Sequence, residues 1–151
     1  MMCKLKGKVK SGLGEGHFWI DKVSKIFKEK YGINLFLGTL NIELEQDYIL
    51  QDTDKILPNE YGGEYDVLVQ ECEILGSKAY IVRPEKNNVL GGDHPLNLIE
   101  IVSDKNLRKE NNLTDNDEMI IQINSWQVKK YIIYKRYSFY TISFIFYFLS
   151  H

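Results

Sequence analysis

The sequence predicts a mainly-β fold, a small barrel of about six short strands with one or two short helices. Three observations carry that expectation. Period-two alternation of apolar and polar residues recurs through most of the chain. Clusters of Gly, Pro, Asn and Asp separate the alternating runs at short intervals. Helical apolar spacing is confined to one clear stretch and one short turn.

In chain order, "LKGKVK" reads as a first strand that ends at the glycine loop "SGLGEG", Ser11 to Gly16. Beyond the loop, Asp21 is placed to N-cap a short helix with apolar residues at Val23, Ile26, Phe27 and Tyr31 and Gly32 just past its end. "GTLNIEL" alternates, with Leu40, Ile42 and Leu44 on one face and Thr39, Asn41 and Glu43 on the other. A polar stretch with Pro58 and "YGGEY" is a loop, and "YDVLVQECEIL" and "KAYIVRP" are strands, the second stopped by Pro84. "EKNNVLGGDHPLN" is a long polar loop. "LIEIV" is a buried strand in which Glu100 faces away from Ile99 and Ile101. Ser103 or Asp104 is placed to cap a helical turn through "KNLRK", and "NLTDNDEMIIQI" supplies a turn and a last strand.

A length of 151 residues favours one domain, and 44% hydrophobic with 26% charged residues is ordinary for a globular protein. A formal charge of -2 argues against a nucleic-acid binder, which usually carries a basic excess. The two cysteines, Cys3 and Cys72, have no metal-ligand spacing and cannot form a disulfide framework, which points to a cytosolic protein with Cys72 reduced in the core. "MMCKLKGKVK" lacks the apolar segment of a secretory signal. The barrel domain is expected over residues 1–124, followed by an aromatic-rich extension over 125–151. Its uncharged run, Ser138 to Leu149, is shorter than the roughly 20 apolar residues of a spanning helix. A membrane-seeking tail, a strand packed on the domain and a translation extension compete as explanations. The last is favoured because the body looks complete without it.

Three groups of residues could do chemistry. Alternating glycines permit backbone amides to converge on an anion, so "SGLGEG" is either a phosphate cradle or a plain turn. It is no Walker loop, since no Gly-Lys-Ser/Thr follows, and no βαβ unit surrounds it. Thr39 and Asn41 project from one strand face as hard oxygen donors suited to Mg²⁺, or they are an ordinary polar face; Gly38 before them leaves room for close approach. Glu100 is either solvated or aimed into a site where it can accept a proton. Lys105 and Arg108 can reach a phosphate or a base edge, or are simply solvated. His17 and His94 have no partner at zinc-ligand spacing.

Taken in order, "KGKVKSGLGEGHFWI", "GTLNIEL", "LIEIVSDKNLR" and "LTDND" resemble the archaeal-type, CTP-dependent riboflavin kinases, which are small cradle-loop β-barrels. The resemblance runs from about Leu5 to Ile123. It implies that Gly12, Leu13, Gly14, Glu15, Gly16 and His17 embrace the CTP phosphates and that Thr39 and Asn41 hold one Mg²⁺. It further implies that Glu100 lies at the flavin end, contacts the ribityl chain and activates its terminal hydroxyl. Lys105, Asn106, Leu107 and Arg108 would bind the cytidine nucleotide, and Asn87 stands where the family has a flavin-contacting threonine. This sequence departs from the pattern at His17, which replaces a more basic residue, in the longer loop around Asn87, and in "DND" for Asp-Gly-Asp. Asn116 suits that turn because Asn accepts the left-handed conformation.

The implied activity is transfer of the terminal phosphate of CTP to the 5′-hydroxyl of riboflavin, giving FMN and CDP, by a monomeric cytoplasmic enzyme without a nucleic-acid or membrane partner. Two alternatives stand beside it. One is a flavin- or nucleotide-binding sensor barrel without turnover; the other is a DNA-binding cradle-loop barrel, which the mild acidity opposes.

Overall fold

A strand with apolar residues on every second position has to lay that face on something, and here the strands close on themselves. The computed structural model describes residues 2–12, 16–51 and 53–124. In these, β1 (Met2–Lys10), β2 (Leu40–Leu44), β3 (Asp54–Ile56), β4 (Val67–Ile74), β5 (Ser77–Pro84), β6 (Leu98–Val102) and β7 (Glu118–Asn124) all pair antiparallel. The order β4-β5-β6-β2-β1-β7 becomes a ring of six because β4 returns to β7 through Glu73↔Gln122 and Ile74↔Ile121. Strand β3 is a short addition that takes the first half of the same β4 edge, at Val67 to Val69. Closure removes the exposed edges that an open sheet would present.

The barrel interior holds the alternating residues expected to be buried: Leu40, Ile42 and Leu44 from β2, Ile99 and Ile101 from β6, Val9, Ile81, Ile121 and Ile123 from the others. Cys72 lies among them as a free thiol, and burial pushes its pKa up to about 12, so it is inert at neutral pH. A second core lies outside the barrel wall. Helix α1 (Gly16–Tyr31) lays Ile20, Val23 and Phe27 on Val67, Val69, Tyr80, Val82 and Val102. Phe27, Tyr31 and Tyr80 form an aromatic trio with ring centroids 5.0–5.5 Å apart. Strands β4 and β5 are therefore covered on both faces, which explains their nearly continuous apolar runs.

Several local expectations are corrected. Helix α1 begins at Gly16, so Asp21 lies inside it and is not its N-cap; no proline or β-branched run interrupts the helix between Gly16 and Asp21. Gly32 does follow the helix in the left-handed conformation, φ 67°, and its N–H donates to the Lys28 carbonyl at 3.0 Å. The polar stretch around Pro58 holds β3 and a four-residue helix, α2 (Pro58–Tyr61). The cap of α3 (Leu107–Glu110) is Asn106, whose Oδ1 accepts from the Lys109 N–H at 3.1 Å, rather than Ser103 or Asp104. The described residues thus hold three α-helices. The expected extension over 125–151 lies outside the described residues. Among those described, no helix is long and apolar enough to cross a membrane.

Candidate functional site

Register does most of the work of assembling the site. Lys10 on β1 faces Asn41 on β2, Asn41 faces Glu100 on β6, and Glu100 faces Val82 on β5. Directly opposed residues project to the same side of a sheet, with Cβ atoms roughly 5 Å apart. That side is the outer wall, because the neighbours of Asn41 and Glu100 along each strand point into the barrel. Asn41 and Glu100 therefore stand side by side, although 59 positions separate them in the chain (100 − 41).

Asn41 is buried, contrary to the plain polar face that alternation alone allows. The cover comes from the glycine-loop stem: a Cβ built on Gly12 would overlap the Asn41 amide nitrogen. A side chain at position 12 would have to push the Asn41 amide aside, and glycine lets the stem cross without moving it. Helix α1 begins at Gly16, and the N-terminus of a helix favours an anion through its first-turn amides and the helix dipole. Gly16 and His17 are in the first turn of that helix; Leu13, Gly14 and Glu15 lie outside the described residues.

Thr39 precedes β2 and shares a small cleft with Phe36, Ser103 and the segment Lys105, Asn106, Leu107 and Arg108. The structure thus brings the expected metal ligand and the expected nucleotide segment to one opening. Leu107 is buried, so only its backbone is free to meet a ligand, and the Asn106 side chain is occupied as the α3 cap. Lys105 is exposed. The space beside Gly38 is not open: a Cβ there would lie 2.8 Å from the Phe36 ring, so Phe36 fills the approach that the glycine was expected to leave.

At the other end, burial raises the carboxyl pKa of Glu100, opposed by its neighbours His94 and Arg83. Arg83 is 5% exposed and ties the long loop down. Its Nη1 donates to the Tyr48 carbonyl (2.6 Å) and Asn88 Oδ1 (3.1 Å), its Nη2 to the carbonyls of Leu96 (3.0 Å) and Leu98 (3.1 Å). Asn88 also exchanges two 2.9 Å bonds with the Leu50 backbone. Asn87, beside it in a single 3₁₀ turn (Glu85–Asn87), is buried, and its Oδ1 has no hydrogen-bond partner among the described residues. An orphaned buried acceptor is costly in a folded protein and is satisfied most simply by a ligand donor.

Sequence reasoning missed three residues that position this site: Arg83, Asn88 and Asp115. The signal for Arg83 is a lone cation at the end of the apolar run "AYIVR". Asp115 lies in "LTDND", which the resemblance singles out as a turn without giving the acid a role; its carboxylate accepts from Arg108 Nη2 at 2.6 Å and from Ser11 Oγ at 2.7 and 2.9 Å. Asn116 has φ 72°, as its side-chain type allows, and its N–H donates to the Val9 carbonyl at 2.8 Å.

The donor set fits a magnesium ion of one particular kind. Among the described residues, no cluster of three or more His, Cys, Asp or Glu could hold a metal. Thr39 and Asn41 supply neutral oxygens, and Mg²⁺ commonly keeps several waters and shares phosphate oxygens with few protein ligands. Such a pair suits an ion that arrives with a phosphate.

The sequence is similar to known proteins along most of its length. Residues 9–123 match the model of the CTP-dependent riboflavin kinase family, described as "Domain of unknown function DUF120". A riboflavin kinase from Staphylothermus marinus is 38% identical over 135 residues, covering 87% of this chain and 100% of that protein. Riboflavin kinases from Methanocella arvoryzae and Pyrobaculum aerophilum are 31% and 34% identical over 79% and 80% of this chain. The chain spans only 56% and 60% of the length of those two relatives.

Proposed function

The chain belongs to the CTP-dependent riboflavin kinase family, and on that premise we propose that it is a riboflavin kinase that takes the terminal phosphate of CTP. The products are FMN and CDP. The observation that carries the site reading is the row Asn41–Glu100, covered at one end by the Gly12 stem. It provides a place for phosphate, an oxygen donor and a carboxylate in immediate succession.

The reaction asks for alignment and charge neutralisation rather than covalent help. The glycine loop and the first turn of α1 bind the triphosphate through backbone N–H groups. Lys105 and Arg108 add positive charge at the cleft, and the backbone of Asn106 and Leu107 borders the cytidine. Thr39 and Asn41 would hold Mg²⁺ through the hydroxyl and the amide oxygen. When bound, that ion neutralises phosphate charge. Asn87 Oδ1 accepts a hydrogen bond from the flavin, which relieves its orphaned state. Glu100 accepts the proton of the ribityl 5′-hydroxyl as its oxygen attacks the terminal phosphorus. The bond from that phosphorus to the bridging oxygen breaks, and the electron pair leaves with CDP. A raised carboxyl pKa makes Glu100 a stronger base than a surface glutamate, provided it is ionised.

We take the enzyme to act as a cytoplasmic monomer on small molecules alone. The full chain is incubated with riboflavin, Mg²⁺ and each of the four nucleoside triphosphates in turn, and FMN is detected by mass. FMN formed fastest with CTP is expected. Absence of FMN with all four would overturn the kinase reading in favour of a binding barrel without turnover.

A further inference from the structure

We propose that Asp115 is a positioning residue for the nucleotide: it ties the stem of the glycine loop to the segment Lys105–Arg108 and so sets the width of the phosphate site. The inference deepens the kinase reading and rests on it. Two separate parts of the chain are assigned to CTP, one leaving β1 and the other entering α3. Asp115 touches both. Its Oδ1 accepts from Arg108 Nη2 at 2.6 Å and from Ser11 Oγ at 2.9 Å, while Oδ2 accepts from the same hydroxyl at 2.7 Å.

The strut stands on a firm base. Thr114 N–H donates to Asp117 Oδ2 (2.8 Å), Asp117 N–H to the Thr114 carbonyl (3.1 Å), and Val9 N–H to the Asp117 carbonyl (2.9 Å). The turn is therefore clamped onto β1 two residues before the loop begins. At its far side Arg108 sits on a capped helix, with its own carbonyl accepting from the Leu113 N–H at 2.9 Å. Anchoring Ser11 fixes where the chain leaves β1 relative to Arg108, and such preorganisation favours binding. An acid beside a triphosphate site would by itself repel the ligand. Here Arg108 neutralises it and, with Ser11, holds its carboxyl below the usual range, so the pair stays ionised and formed at neutral pH. The arrangement also aims Arg108 at one place, held through Nη2 by Asp115 and beside the cleft where a phosphate or base could meet its other donors.

The test uses the full chain and compares wild type, Asp115→Ala and Asp115→Asn. KM for CTP, KM for riboflavin, kcat, the melting temperature, and calorimetric binding of CDP are measured for each. Asp115→Ala is expected to raise KM for CTP and Kd for CDP about tenfold, the scale of losing one charge-assisted contact. The riboflavin KM and the melting temperature should hold. Asp115→Asn keeps an oxygen that both Ser11 and Arg108 can reach, so it should recover more than half of the loss on a logarithmic scale. Unchanged nucleotide affinity in Asp115→Ala, an equal rise in riboflavin KM, or no recovery by Asn overturns the proposal. Should Asp115→Ala melt early, Ser11→Ala removes the loop arm with the turn intact and must still weaken CDP about threefold; no change there is equally fatal. Wild type that binds CDP but makes no FMN refutes the kinase reading and leaves the strut testable by calorimetry.

Discussion

Gly12→Ala is the sharpest probe of how the site is built. The added methyl would clash with the Asn41 amide nitrogen. Gly12 itself is exposed, and what gives way is the end of a side chain rather than backbone. Stability should therefore change little, by under about 1 kcal/mol, or roughly 2–4 °C in melting temperature for a chain of this size. Activity should change much more. Asn41 must rotate or shift by about 1 Å, and misplacement of that size in a positioned group can cost about 100-fold in rate. The predicted loss travels through Asn41, so Gly12→Ala and Asn41→Ala should not add. The double variant should have the kcat/KM of Asn41→Ala alone, a full interaction energy of about 2.7 kcal/mol at that fold-change. Steady-state FMN formation at several Mg²⁺ concentrations, together with thermal melts, measures both quantities. Strictly additive losses would show that Gly12 meets the phosphate directly and that its closeness to Asn41 is incidental.

Other expectations follow from the same geometry. Because Thr39 and Asn41 are neutral donors, calorimetry with Mg²⁺ alone should show no heat, and binding should appear once CTP is present; tight binding to the free chain would mean another ligand set. Glu100→Gln should cut kcat by about 10²–10⁴ and remove the acidic limb of its pH profile. It should also stabilise the fold at neutral pH. The folded-state pKa of Glu100 is raised above 4.5, so the folded form binds more protons, and stability present at low pH is lost as pH rises through that value. The gain from Gln should thus vanish near pH 4, and a gain independent of pH would contradict the burial argument. Arg83→Lys breaks several of four hydrogen bonds. Asn88 Oδ1 and the Leu96 carbonyl keep the Leu50 and Tyr48 N–H as donors, so the expected cost, about 1–3 kcal/mol each if they remain dry, falls on the Tyr48 and Leu98 carbonyls. Faster hydrogen exchange across 85–97 and a higher riboflavin KM are the expected readouts; unchanged exchange would remove Arg83 from the loop's support.

Alternation and helical spacing were enough to locate β1, β2, β4, β5, β6, β7 and the apolar face of α1, because each depends on residues a few positions apart. They also put Thr39 and Asn41 on one face and turned Glu100 away from Ile99 and Ile101. Motif order carried the family. Caps were less legible: Asp21 and Ser103 are good cap residues by type, yet the helices start where packing of Ile20 and Leu107 puts them. Only the tertiary structure decided that β4 meets β7 to close the ring, that Gly12 lies over Asn41, and that Asp115, 104 positions along the chain from Ser11, joins it to Arg108. The physical reason is range. Periodicity records which side of an element must be dry, and that is a local property. Which partner dries it, and which polar groups then meet above the wall, depends on strand register and closure, to which distant segments contribute together.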